Sequence, residues 1–294
     1  MKISIIGLGL IGGSYALSLK QRFKNLTLYG WDQNEAHNLE AKNRNLIDVS
    51  CLSLVEALAE GDWILLAIPV NSIASSLSGM LDRLAPHQLI IDFGSTKEQI
   101  CKGVARHKRR DQFIAAHPIA GTEYSGPSAA FSNLYQDKVM IVCESQKTRP
   151  DFLSAFKDQC GALGMATLYL GAAEHDVHLA YVSHLSHIIA FGLSHTVLQK
   201  EASAMKILDL AGSGLASTVR LAKSSPDMWT PIFISNREAI LESLDLYLEK
   251  INNFKALLTA SNTSGIRAYL EKGREIKKTS IVTREGLKSP HQSP

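Results

Sequence analysis

The residue types able to do chemistry gather in two places. Near the start, the β-branched run Ile3 to Ile6 breaks into Gly7-Leu8-Gly9-Leu10-Ile11-Gly12, a GxGxxG spacing. Such a turn brings a phosphate onto backbone N–H groups at the positive end of the following helix. Gly7 makes the tight turn, Gly9 admits the phosphates, and Gly12 lets helix and strand pack. Asp32 follows Gly12 by 20 positions, at the end of a second apolar run, Leu26 to Trp31, where a carboxylate can accept hydrogen bonds from a ribose. Strand, glycines, helix and acid in register point to a bound dinucleotide. Gln33 and Asn34, not Arg, come next, which favours NAD over NADP, with Lys42 and Arg44 the cations that could reach round.

Further along, the ends of successive apolar runs supply polar groups. Ala67-Ile68-Pro69-Val70 closes one, and Pro69 stops the ladder there so that Ile68 and Pro69 turn over the cofactor. Asp92-Phe93-Gly94-Ser95-Thr96-Lys97 closes the next; Gly94 allows close approach, and Ser95 serves either as a helix cap or as a substrate contact. His117-Pro118-Ile119-Ala120-Gly121-Thr122-Glu123 closes a third, with an imidazole on the rim of the nicotinamide pocket, well placed for proton transfer. His184 and His187 stand at i and i+3 on a helical stretch, with His195 on the same face. A metal would need a third ligand. Glu174, His175 and His178 are near, but no recognised carboxylate–histidine spacing occurs, so no metal is expected and His187 reads as a substrate contact. Arg220 lies in the largely uncharged stretch 210–222, where its planar fork serves either a surface salt bridge or a carboxylate ligand.

These groups need a scaffold. Over residues 1–170, short β-rich runs alternate with helical stretches: strands at 3–6, 26–31, near 49, 62–68, 88–92, 112–116, 138–143 and 166–170, and later helices at 72–84, 97–107 and 151–163. That is the pattern of a Rossmann-like, doubly wound, mostly parallel α/β sheet, in which ligands gather at the carboxyl ends of the strands. Residues 171–272 read as all-helical, with one long helix over 172–199 and others near 202–211, 214–223, 227–259 and 262–272, Ser225 capping and Pro226 opening the helix from 227. Ile240, Leu244, Tyr247, Ile251, Phe254 and Leu258 form a heptad-like seam, which predicts a homodimer through this helical domain. Residues 273–294 are a polar, basic tail, expected to be disordered from about Lys277.

Bulk properties exclude several classes. The 294 residues suffice for two cores, and the net charge of +3 is matched by the last stretch, Glu271 to Pro294, with six Lys or Arg against three Glu. The rest is balanced, which argues against a nucleic-acid partner; the short run Arg106 to Arg110 reads as a solvated loop. Ile3 to Leu19 is uncharged, but Gly7, Gly9, Gly12 and Gly13 interrupt it, and it falls short of the ~20 residues a spanning helix needs. Cys51, Cys101, Cys143 and Cys160 show no metal-ligand spacing and mostly lie in apolar surroundings, as thiols of a cytoplasmic protein would.

The series GLGLIGGS (7–14), AIPV (67–70), DFGSTK (92–97), HPIAGTE (117–123), SHLSH (183–187) and Arg220 with Pro226 and Trp229 resembles prephenate dehydrogenases over about residues 1–270. The chain departs from that family at Ser186, where Pro is usual, implying a straighter helix, and in DFGSTK, where DVGSVK is more common. The resemblance implies an NAD-dependent oxidation of prephenate with loss of carbon dioxide, as in tyrosine biosynthesis. It implies that His117 is the catalytic base with Ser95 near the substrate hydroxyl. Arg220 and His187 would hold carboxylates, Thr122 and Trp229 would line the substrate site, and Glu123 would orient His117 or Arg220. The amino-acid analogue arogenate is the alternative substrate. A non-catalytic dinucleotide sensor is a more distant alternative, though it would have no reason to keep Ser95, His117 and Arg220 as a set.

Overall fold

Ile3 and Ile5 bury on one face of the first strand while Ile6 buries on the other, so this strand has apolar cover on both sides. A parallel strand covered by helices on both faces demands that pattern. In the computed structural model, which describes residues 1–202 and 207–278, eight strands form one sheet. The elements run β1 (Lys2–Ile6), α1 (Leu10–Arg22), β2 (Thr27–Trp31), α2 (Glu35–Asn43), β3 (Val49–Ser50), α3 (Leu54–Glu60) and β4 (Trp63–Leu66). Next come α4 (Val70–Arg83), β5 (Leu89–Asp92), α5 (Glu98–Gly103), β6 (Phe113–Pro118), β7 (Val139–Cys143), α6 (Pro150–Ala162) and β8 (Ala166–Leu170).

The strand order is β3-β2-β1-β4-β5-β6-β7-β8, parallel throughout except for the antiparallel pair β6–β7. The chain reverses its direction of travel between β1 and β4, and the glycine turn leaves β1 at that switch point, where open α/β sheets bind ligands. One core packs Tyr15 and Leu19 of α1 and Phe152, Phe156 and Cys160 of α6 on one face; the other packs Ile73, Leu77 and Met80 of α4 and Ile100 of α5 on the opposite face. Ile3 to Leu19 divides into β1 and α1, and no helix among the described residues is long and apolar enough to cross a membrane. All four cysteines are free and buried. The basic run is not free either: Arg109 holds the carbonyls of Leu81 and Asp82, and Arg110 is buried against Phe113 and Glu144.

After β8 the chain is helical: α7 (Ala172–Leu179), α8 (Leu185–Glu201), α9 (Ser213–Val219), α10 (Pro226–Ser235), α11 (Arg237–Thr259) and α12 (Thr263–Arg274). Three expectations are corrected. The long helix from 172 is interrupted by a π-helical turn, Ala180–His184, so the absence of Pro at Ser186 does not make it regular. The helix expected at 227–259 is two, parted at Asn236, whose side chain is used elsewhere. The expected 202–211 helix is at most a 3-10 turn, Leu208–Leu210, with 203–206 outside the described residues. Ser225 does stand at the N-cap of α10 with Pro226 first, but its hydroxyl makes no capping bond. Helix α12 runs to Arg274 and a 3-10 turn covers Glu275–Lys278; residues 279–294, most of the polar tail expected from 273, lie outside the described set.

By compactness the chain divides into units 1–240 and 241–294. Along the seam of α11, Ile240 is buried, Leu244, Tyr247 and Phe254 are half-buried, and Ile251 and Leu258 are exposed.

Candidate active site

The glycine turn has the geometry its sequence requires. Gly7 has φ +93°, and a Cβ there would lie 2.3 Å from the Ala67 carbonyl oxygen, with the Ile68 side chain also in the way. At Gly12 a Cβ would meet the Gly7 carbonyl oxygen at 2.0 Å, so helix and strand approach through it. Gly9 differs: a Cβ would meet nothing within 4 Å, which leaves open space over the start of α1. No side chain caps α1 and no acidic residue stands in its first turn, so the free N–H groups of Leu10, Ile11 and Gly12 and the positive helix end are left for an anion. The corner therefore fits a pyrophosphate.

Asp32 ties the corner together as well as facing it. One carboxylate oxygen accepts the Leu8 N–H at 2.9 Å, the other the Asn34 N–H at 2.9 Å, and His37 Nδ1 lies 3.4 Å away. A carboxylate has about four acceptor sites, so two such bonds leave room for a ribose diol. Lys42 and Arg44 are turned to other work: Lys42 holds the Asp48 carbonyl, and Arg44 holds the carbonyls of Pro127 and Ala130. Pro69 is exposed and opens α4, with Ile68 packed beside the Gly7 turn.

At the ends of β5 and β6 the chemistry changes from backbone to side chains. His117 Nδ1 lies 2.9 Å from His175 Nε2, and His175 Nδ1 lies 2.7 Å from the Asp176 carboxylate. A carboxylate only accepts, so His175 carries its proton on Nδ1 and accepts on Nε2; His117 then donates from Nδ1 and keeps an unprotonated Nε2. His117 Nε2 has no partner among the described residues. Burial holds the His117 imidazole well below its usual range, and His175, Lys97 and His184 act in the same direction. A neutral, singly oriented imidazole is what a proton acceptor requires.

Asp176 is also a long-range helix cap, its two oxygens accepting the N–H groups of Lys97 and Glu98 at 2.7 and 2.9 Å. That role displaces Ser95 from capping: Ser95 is partly exposed and makes no side-chain hydrogen bond among the described residues, while Thr96 pairs with Ser235 at 2.9 Å. The Asp176 carbonyl accepts from Asn236 Nδ2 at 2.7 Å, and the same amide lies 3.1 Å from His184 Nδ1. His184 is thereby a core residue, 1% exposed and pushed down to about 4 by burial.

His187 faces differently. Its Nδ1 donates to the Ser183 carbonyl at 2.9 Å, and its ring stacks on Trp229 with centroids 3.7 Å apart, leaving Nε2 for a ligand. Trp229 is 6% exposed and forms the platform under His187, its indole N–H lacking a partner among the described residues. His195 is exposed on α8. Arg220 opens a 3-10 turn, Arg220–Lys223, and lies 3.3 Å from Glu123 through a single nitrogen, the rest of its fork unused among the described residues. Its charge reaches His187, whose pKa is lowered mainly by burial. Thr122 accepts the Tyr124 N–H at 3.2 Å, and Glu123, Tyr124, Ser125, Ser128 and Ala129 border an open cleft of about 530 Å³.

A continuous path of contacts thus runs His117–His175–Asp176–Asn236–His184–Trp229–His187, with Arg220 beside its far end. Sequence reading singled out His117, His187, Arg220 and Trp229, but weighed His175 only as a metal ligand and gave no role to Asp176, Asn236 or Lys97. One signal was present: an adjacent His-Asp pair at the start of the first helix after the sheet, two ionisable groups that need partners if that face is buried.

Residues 15–165 match the family model of the prephenate dehydrogenase nucleotide-binding domain, and residues 171–272 that of the prephenate dehydrogenase dimerization domain. A cyclohexadienyl dehydrogenase of Zymomonas mobilis is 31% identical over 98% of this chain and 97% of its own. The crystal structure of prephenate dehydrogenase from Aquifex aeolicus with hydroxyphenyl propionate and NAD+ superposes with a TM-score of 0.85 at 27% identity, covering 96% of this chain and 98% of that one. A Synechocystis arogenate dehydrogenase structure gives 0.75 at 26% identity over 95% of this chain and all of its own. With both halves of the chain matched in order, this protein belongs to the prephenate dehydrogenase family of oxidoreductases.

Proposed function

We propose that the protein catalyses the NAD-dependent oxidative decarboxylation of prephenate to 4-hydroxyphenylpyruvate in tyrosine biosynthesis, acting in the cytoplasm as a homodimer. The observation that carries this reading is the unprotonated, unpartnered Nε2 of His117, held neutral in a path of contacts that extends toward a half-exposed Arg220. When bound, NAD accepts a hydride from the carbinol carbon of the substrate. Gly7, Leu8, Gly9, Leu10, Ile11 and Gly12 would hold its pyrophosphate, Asp32 its ribose, and Ile68, Pro69 and Ser95 would border it.

His117 Nε2 takes the hydroxyl proton as the C–H bond is broken, which contributes on the order of a hundred- to ten-thousandfold. Ser95, whose hydroxyl makes no hydrogen bond among the described residues, orients the substrate hydroxyl toward that nitrogen. Arg220 and His187 Nε2 hold the carboxylates, Trp229 keeps the His187 ring in place, Thr122 lines the loop, and Glu123 steadies Arg220. Loss of carbon dioxide then follows from aromatisation of the ring. The domain assignment goes with this: residues 1–170 hold the cofactor, and 171–272 supply substrate contacts and the dimer. Leu246, Leu248, Ile251 and Leu258 of α11 are exposed in the single chain, which supports pairing.

Arogenate is the second reading, favoured by Glu123: a carboxylate beside Arg220 gives an amino group a counter-charge. Steady-state kinetics with prephenate and arogenate, each with NAD and NADP, decides. Prephenate with NAD is expected to give the highest kcat/KM; arogenate preference would transfer the assignment, and dinucleotide binding without turnover of either would make the protein a sensor.

A further inference from the structure

Lys97 has no exposed side-chain surface, and neither has Asp92, its ion-pair partner. The ammonium also donates to the Ala116 carbonyl at 2.8 Å, on the residue before His117. The backbone N–H of the same Lys97 donates to Asp176 at 2.7 Å, the carboxylate that orients His175. One residue therefore fastens three segments: the end of β5 leading to Ser95, the end of β6 bearing His117, and the start of α7 bearing His175. A methionine could fill the same volume without the desolvation cost of a buried charge. It could supply neither the bond to Ala116 nor the positive charge.

The titratable groups facing His117 are His175 from α7, backed by Asp176, His184 from the π-helical turn, and Lys97, backed by Asp92. Lys97 is the cationic member of the buried pair with Asp92, and a cation disfavours a second positive charge nearby. We propose that Lys97 is a positioning residue for proton transfer, whose buried ammonium and backbone N–H together lock His117 and its relay in register and keep the His117 imidazole unprotonated. This rests on His117 being the base.

The test is the pH profile of kcat/KM for prephenate in three variants, with NAD affinity measured separately by binding. Lys97→Met leaves Asp92 unpaired in the core, so the double variant Lys97→Met/Asp92→Asn, which removes both charges, accompanies it; Lys97→Arg keeps the cation. Lys97→Met and the double variant are expected to bind NAD as the parent does, to lose on the order of ten- to a hundredfold in kcat, and to show the acid limb moved to higher pH. Lys97→Arg is expected to leave the limb in place. A folded neutral variant whose acid limb does not move would overturn the proposal, since a merely structural lysine changes rate without changing that limb. The His117→Asn control separates the two claims: if it keeps its activity, the base assignment fails and takes this proposal with it. If it is inactive while the limb stays put in the neutral variants, only the role of Lys97 fails.

Discussion

The proposed cofactor corner and the proposed proton-transfer site are built by opposite means. The corner is almost all backbone: Gly7, Gly9, Gly12 and the first turn of α1, braced by the single carboxylate of Asp32. The proton-transfer site is almost all side chain, with groups from positions 92–97, 117, 175–176, 184 and 236 joined by hydrogen bonds. In the first, the absence of a Cβ leaves room for close approach; in the second, side chains orient one another through hydrogen bonds. Damage to the corner should therefore appear in cofactor affinity, whereas damage to the relay should appear in turnover even when the altered residue touches no ligand.

Substitutions can break this contrast. His117→Asn removes the acceptor and should lower kcat about a thousandfold, with the prephenate Michaelis constant nearly unchanged. His175→Phe leaves Asp176 capping α5 but frees the His117 tautomer; kcat should fall roughly a hundredfold with both Michaelis constants near the parent values. Arg220→Gln should raise the prephenate Michaelis constant about thirtyfold and leave that for NAD alone. If its loss fell on kcat instead, Arg220 would not be an anchor. Asp32→Asn should have the smallest effect, raising the NAD Michaelis constant about tenfold with kcat retained. A large fall in kcat there would merge the two regions, because the corner would be controlling the chemistry.

The contrast also explains what could be read from the sequence. The corner is local: strand, turn, helix and Asp32 lie within the first 32 residues, and the reasons for Gly7 and Gly12 are contacts inside that stretch or with the adjacent strand end, while Gly9 leaves open space at the same turn. All eight strands were legible for the same reason, as short β-branched runs with turn signals between them. The relay is not local. His117 and His175 are 58 positions apart, and nothing in either neighbourhood announces the other. Capping rules suggested Ser95 for α5, but the cap came from Asp176, 78 positions beyond Glu98. The π-helical turn and the break at Asn236 were likewise invisible; at that break the Asn236 side chain bonds Asp176 and His184, 60 and 52 positions earlier.

The central claim is that His117 stands neutral and poised at Nε2 because burial and its neighbours prevent it from charging. Its folded pKa is depressed, so proton transfer should survive below the ordinary imidazole value of about 6.5 and be lost only as pH falls through the lower folded value. The pH dependence of kcat/KM for prephenate at saturating NAD tests this most directly. The expected acid limb lies clearly below 6.5 and disappears in the residual activity of His117→Asn. A limb at or above the ordinary imidazole value, or one that persists unchanged in that variant, would contradict it.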